Sequence, residues 1–199
     1  YGVGGFSLLN AVVGSAAERI PVIAISGAPK LAAKSGKSLL HHTAGDLDLQ
    51  FKAYEKITVA AEKLVNPSQA PAQIDRVITA CMKFKRPVYL ELPMDVANAP
   101  CAAPGEFSPD TVIHSDMEAL DEALEEALEM LSNAKTAVIV AGVEVHRFHI
   151  PDQWRRLIDR AGLPFATTLL GKAVLPERHP GFVGVYAGVP GDEAARDIV

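Results

Sequence analysis

Short apolar runs, closed by glycine or proline and separated by stretches of helical periodicity, constrain this chain more than any other feature. Val22-Ile23-Ala24-Ile25 is shut by Gly27 and Pro29, Pro87-Val88-Tyr89-Leu90-Glu91-Leu92-Pro93 carries its own prolines, and Ala137-Val138-Ile139-Val140-Ala141 ends at Gly142. A continuous apolar run, unlike an alternating one, predicts a strand buried on both faces, and such strands belong to parallel sheets covered by helices. Phe165 to Leu170 predicts a further strand.

The intervening segments supply the helices. Phe6, Leu9, Val12, Val13, Ala16 and Ala17 predict one helical face that Pro21 stops. From Pro71, the positions Ile74, Val77, Ile78, Cys81 and Met82 repeat as i, i+3, i+4, i+7, i+8, the stripe of an amphipathic helix. Leu120, Leu124, Leu128 and Leu131 mark another, with Ser115 or Asp116 as N-cap and an acidic run, Glu118 to Glu129, as its solvated face. Trp154, Leu157, Ile158 and Ala161 form a helix with Pro151 in its first turn and Gly162 at its stop. That helix lies between two predicted strands, so the segment is a βαβ unit with a right-handed crossover. Phe51, Tyr54 and Ile57 predict a short helix or turn, followed by an extended piece at Thr58 to Ala61. Between Ala97 and Asp110, Pro100, Pro104, Gly105 and Pro109 interrupt any pattern, which reads as a linker between domains.

A chain of 199 residues with 49% hydrophobic residues can bury a core. Its formal charge of −5 and scattered Lys and Arg residues give no basic stripe for nucleic acid, which leaves small-molecule chemistry as the expectation. Cys81 and Cys101 do not make a disulfide framework or a cysteine zinc site, and a reducing cytoplasm fits them. No apolar run reaches the ~18 residues of a membrane span, and no secretory signal opens the chain. The start at Tyr1, without Met and inside a strand-to-helix turn, gives the expectation of a fragment.

The chemistry-bearing motif is Ser38-Leu39-Leu40-His41-His42-Thr43-Ala44-Gly45-Asp46, which follows the Val22 to Ile25 strand through a loop carrying Lys30, Lys34 and Lys37. Histidine is the side chain whose unperturbed pKa lies closest to neutrality, so two imidazoles beyond the carboxyl end of a parallel strand sit where proton transfer belongs. Asp46 or Thr43, close to them in sequence, is the neighbour expected to orient them. Glu91, the one charge in its strand, needs a partner if buried.

Tyr1-Gly2-Val3-Gly4-Gly5, Ala17-Glu18-Arg19-Ile20-Pro21-Val22-Ile23, Ser26-Gly27-Ala28-Pro29, Leu40-His41-His42-Thr43, Arg86 to Pro93, Pro100 to Gly105 and Thr167 to Lys172 follow one another in an order and spacing with a known counterpart. Together they resemble the pyruvate and indolepyruvate decarboxylases, thiamine-diphosphate-dependent 2-oxo acid decarboxylases, over essentially the whole chain. The His-His pair is the more specific sign, because acetolactate-synthase-like relatives lack it.

The resemblance implies an α/β fold of two incomplete domains. Residues 1–99 would be a three-layer, parallel-sheet pyrimidine-binding domain, 100–111 a linker, and 112–199 the start of a Rossmann-like central domain. It implies a carboxy-lyase that turns a 2-oxo acid into an aldehyde and carbon dioxide with thiamine diphosphate and Mg2+, as a homodimer or homotetramer. It also implies His41 and His42 in the proton relay, with His42 in direct contact, and Val3 packed against the cofactor's pyrimidine ring. In such enzymes the Glu that activates the cofactor precedes the His pair by a long way, so Glu91 does not correspond to it. That Glu and the magnesium and diphosphate motif are expected outside this chain, which alone should not decarboxylate. Two alternatives stand beside this reading: a non-catalytic assembly module of the same fold, and a dinucleotide-binding protein using the glycine-rich turns.

Other motifs carry less. Gly2-Val3-Gly4-Gly5 lacks the third glycine of G-x-G-x-x-G, Ser7 standing there, and is expected to serve close backbone packing. His146 and His149 lack a suitable third ligand, so no metal site is assigned. Gly45-Asp46-Leu47 and Gly191-Asp192-Glu193 each begin like a Gly-Asp-Gly metal motif without its last glycine.

Overall fold

A computed structural model describes residues 1–35 and 40–199. Lys37 of the basic loop, and Ser38 and Leu39 before the His pair, lie outside the described residues. The chain divides into two compact units, Tyr1–Ile113 and His114–Val199. It is α/β, with a parallel three-stranded sheet in each unit.

In the first unit α1 (Val3–Ala17) leads into β1 (Ile23–Ala28), a short 3-10 turn (Leu31–Ser35), α2 (Leu49–Glu55), β2 (Ala61–Lys63), α3 (Ala70–Phe84) and β3 (Val88–Pro93). The strand order is β1-β3-β2. β3 sits in the centre, in register Ile23↔Val88 with β1 and Ala61↔Tyr89 with β2. Side chains alternate across a strand, so β3 feeds two different cores. Val88 and Leu90 pack with Leu64, Val77 and Cys81 against α3. Tyr89 packs with Val12 of α1, Ala24 of β1 and Tyr54 of α2. Burying a side chain of Val or Leu size stabilises by about 1.5–3 kcal/mol, so each face contributes several such increments. Tyr54 and Tyr89 add ring stacking at 4.0 Å between centroids.

β1 is not the doubly buried strand its apolar run predicts: Ile23 is 43% and Ile25 61% exposed. Both share the face of Val88 and Leu90 through the strand register, but α3 packs on β2 and β3 and stops short of β1. α1 also buries a narrower face than its periodicity predicts, because Val13 is exposed while Val12 is fully covered. The helix after Phe51 starts at Leu49, and the extended piece begins where it was expected to end, at Ala61.

The second unit runs α4 (Met117–Asn133), β4 (Ile139–Ala141), α5 (Glu144–Arg147), α6 (Pro151–Ala161), β5 (Phe165–Thr168), β6 (Phe182–Tyr186) and α7 (Glu193–Ile198), with strand order β4-β5-β6. Asp116, not Ser115, caps α4, its carboxylate accepting from the Glu118 and Ala119 N–H groups. The leucine stripe of α4 is exposed along with its acidic face, since no residue of that helix is buried. Gly162, at φ 63°, ends α6 in the left-handed conformation glycine tolerates.

The core here is Ala141, Val145, Ile158, Phe165 and Leu175. β4 is shorter and less buried than its run predicts, with Val140 facing outward, and β5 stops at Thr168 so that Leu169 and Leu170 lie exposed in the following turn. β6 and α5 were not predicted. In β6, Val183 bulges between Phe182 and Gly184, whose partners Phe165 and Ala166 are adjacent, and Gly184 takes φ 122°. The bulge hides the strand's period. Asp192 accepts the Val185 N–H at 2.6 Å, which ties Gly191-Asp192 to β6.

Candidate functional site

Ala28 and Pro29, at the carboxyl end of β1, and Glu91 of β3 line a recess closed by Tyr1, Gly2 and Phe6 on one side and by Thr43, Asp46, Leu47 and Gln50 on another. The carboxyl ends of parallel strands collect ligands because the loops there are free to vary while the sheet holds them in place. The recess holds about 340 Å3 of empty space, part of it open to solvent.

His41 and His42 stand beside this recess, not inside it. Their rings lie 3.8 Å apart between centroids at 61°, and both side chains are exposed. The backbone of His42 is in the left-handed region at φ 58°, a conformation uncommon for a non-glycine residue. Its carbonyl is seated on the start of α1: the Val3 N–H donates to it at 3.4 Å, and a Cβ on Gly2 would fall inside it. Gly2 itself has φ 60°, so glycine is required there twice over. The expected backbone-to-backbone packing of the glycine run therefore holds at Gly2. At Gly5 it does not, since the space a side chain would take is filled by the amide of Gln50. Val3 is 60% exposed on the first turn of α1, beside the recess.

Neither neighbour assigned to orient the imidazoles does so. Thr43 Oγ1 donates to the Leu40 carbonyl at 3.0 Å. Asp46 accepts from Lys52 at 2.7 Å and from the Asp48 N–H at 2.8 Å. The hydrogen bond from Lys52 holds the Asp46 carboxyl below its ordinary range, helped by the Asp48 amide.

Beneath the recess lies a buried polar network that the sequence signalled only through Glu91. Glu91 is 1% exposed and ion-paired with Lys63 of β2. Lys63 also meets Asp48 at 2.6 Å and stands 5.6 Å over the Phe51 ring. Burial opposes the charge on Lys63, but the hydrogen bonds and charges of Asp48 and Glu91 outweigh it and raise its pKa. Tyr89 donates to Glu91 Oε2 at 3.1 Å. Burial pushes the Tyr89 phenol well up, the Glu91 charge adding to it. Gln50, 5% exposed, donates from Nε2 to Ser26 Oγ at 2.6 Å, to Tyr89 Oη at 2.7 Å and to Glu91 Oε2 at 3.3 Å. Its Oε1 accepts the Gly2 N–H at 2.7 Å. Gln50 carries no motif, and sequence reasoning passed over it.

Elsewhere, the His146 and His149 rings are 6.3 Å apart, and among the described residues no group of three or more His, Cys, Asp or Glu could hold a metal ion. Also among the described residues, no helix is long and apolar enough to cross a membrane.

The family model described as thiamine pyrophosphate enzyme, central domain, matches residues 124–199. Among curated proteins, the indole-3-pyruvate decarboxylase of Azospirillum brasilense is 38% identical over 199 residues, 100% of this chain and 36% of its own length. The alpha-keto-acid decarboxylase of Mycobacterium leprae is 35% identical over 100% of this chain and 35% of its own length. The pyruvate decarboxylase of Hanseniaspora uvarum is 36% identical over 94% of this chain and 34% of its own length. The chain thus spans about a third of the length of the curated relatives it matches.

Proposed function

We propose, since this chain belongs to the thiamine-diphosphate-dependent 2-oxo acid decarboxylase family, that it supplies one wall of an active site converting a 2-oxo acid such as pyruvate or indolepyruvate into an aldehyde and carbon dioxide. The observation that carries this reading is the seating of the His42 carbonyl on Gly2 and Val3 beside the recess at the β1 and β3 ends. That seating places an imidazole pair and an exposed apolar side chain at one rim.

The residues fit one side of a cofactor site. Val3, exposed on α1, is the group that would pack on the cofactor's pyrimidine ring. Thiamine diphosphate, when bound, supplies an electron sink for the charge left when carbon dioxide departs. His41 and His42 hold and move protons next to the reacting carbon, with His42 in direct contact and His41 against it. Among the described residues no group of three or more His, Cys, Asp or Glu could hold Mg2+.

Residues 1–99 serve in this reading as most of the pyrimidine-binding domain, 100–111 as linker, and 112–199 as the start of the central domain. The working enzyme is a cytoplasmic homodimer or homotetramer. With thiamine diphosphate and Mg2+, the complete natural polypeptide is expected to release aldehyde from a 2-oxo acid, and the 199-residue chain alone is expected to release none. His42→Ala in the complete protein should cut aldehyde formation about a hundredfold or more while leaving the melting temperature nearly unchanged. Turnover by the isolated chain, or equal losses of activity and stability in His42→Ala, would refute the reading.

A further inference from the structure

The buried network beneath the recess has one member that touches the histidine seat. Gln50 Oε1 accepts the Gly2 N–H at 2.7 Å, and Gly2 with Val3 holds the His42 carbonyl. His42 keeps a left-handed φ of 58°, which persists only where its surroundings over-determine it. We propose that Gln50 is a positioning residue, fixing through Gly2 where the imidazole of His42 stands. This inference rests on the functional reading above for its consequence in turnover, but the linkage itself is geometric.

The amide of Gln50 can sit only one way round. Glu91 Oε2, an acceptor only, faces its Nε2, and the Gly2 N–H, a donor only, faces its Oε1, so a flipped amide would set acceptor against acceptor and donor against donor, while the Ser26 and Tyr89 hydroxyls could meet either end. Glu91 is in turn held by Lys63, and Lys63 by Asp48. The chain of contacts therefore runs from a buried ion pair, through one amide, to the backbone that carries His42. Gly5 belongs to the same device: its missing side chain is the space Gln50 occupies, so a larger residue there would evict the amide. Gln50 touches no reacting group and acts only through Gly2.

The test is made in the complete natural protein with Gln50→Leu, which keeps bulk and removes both kinds of hydrogen bond. Gln50→Met, with a more adaptable side chain, takes the same measurements should the leucine variant fail to fold. The control is Val77→Ala on α3, fully buried in the cluster on the other face of β3 and apart from Gln50, Gly2 and Gly5. The expectation is a fall in kcat of about tenfold to a hundredfold, because small misplacements of a reacting group cost that much. KM should stay within about twofold, and the pH profile of kcat should change shape. Val77→Ala should lower the melting temperature and leave both kcat and its pH profile as in wild type.

Hydrogen exchange of the segments 1–6 and 40–46 supplies a readout independent of activity. The Gly2 and Val3 amides should be protected in wild type and exchange faster in the Gln50 variant. Fast exchange of those amides in wild type, or no acceleration in the variant, overturns the linkage. A variant with wild-type kcat and pH profile and only a lower melting temperature overturns the positioning role. If wild type makes no aldehyde from any 2-oxo acid, the functional reading fails while the exchange data still decide the linkage.

Discussion

The two faces of β3 are built on opposite principles although their residues alternate along one strand. On one face Val88 and Leu90 meet Leu64, Val77 and Cys81, and polar contacts enter at the β2 edge, where Glu62 meets Gln73 and Arg76 of α3. On the other, Tyr89 and Glu91 meet Gln50, Ser26 and Lys63 in a network of hydrogen bonds and an ion pair. The apolar contacts of the first face are non-directional. The polar face is directional, since each donor and acceptor must find its partner or leave a costly orphan, and it lies directly under the recess. A site that needs a backbone carbonyl held in an uncommon conformation is better supported by the second kind of packing.

The largest effect should come from breaking the ion pair on the polar face. Lys63→Met would leave the Glu91 carboxylate buried without its cation, and a loss of about 3–5 kcal/mol is expected in urea unfolding. The double change Lys63→Met with Glu91→Leu should recover most of that loss, because two apolar groups carry no unpaired charge. A single variant with near wild-type stability would break the comparison, as it would show the network to be dispensable.

On the apolar face, Leu90→Ala should cost about 3 kcal/mol, the transfer of a buried leucine plus a cavity that α3 only partly closes. No single neighbour should restore it, in contrast to the ion pair. Full rescue by one partner substitution would mean that this face is directional too.

The smallest and most graded effect is alkaline loss of stability, measured as urea midpoint against pH. Burial raises the Cys81 thiol from its ordinary 9.0 on the apolar face. Burial also raises Tyr54 and Tyr89 from 10.0, and Lys63 is raised from 10.5. In each case the folded state holds its proton more tightly than the unfolded chain does. The stabilisation is therefore complete below the unfolded values and is lost as pH rises through the folded ones. Stability should begin to fall as the unfolded Cys81 loses its proton near 9.0 and fall more steeply past 10.0, when the polar face joins. A midpoint that stays flat to the alkaline limit would remove the titratable groups from the comparison.

Much of this was legible in the residues. The apolar runs, the helical stripe at Ile74 to Met82, the glycine stop at Gly162 and a helix cap at Ser115 or Asp116 all follow from local sequence, and the structure chose Asp116. The demand of Glu91 for a partner was also visible, because a charge inside an apolar strand must be compensated. The exposed Ile23 and Ile25 were not, as burial depends on how far α3 reaches.

The sequence by itself determined the class of fold, the family, and that two imidazoles follow the first strand. Only the tertiary structure decided that Lys63 answers Glu91, that Gln50 fills the space over Gly5, and that Gly2 carries the His42 carbonyl. The physical reason is range: a period is set by neighbours along the chain, whereas these partners are joined by strand register and by which face of β3 each side chain takes. No local pattern records such a pairing.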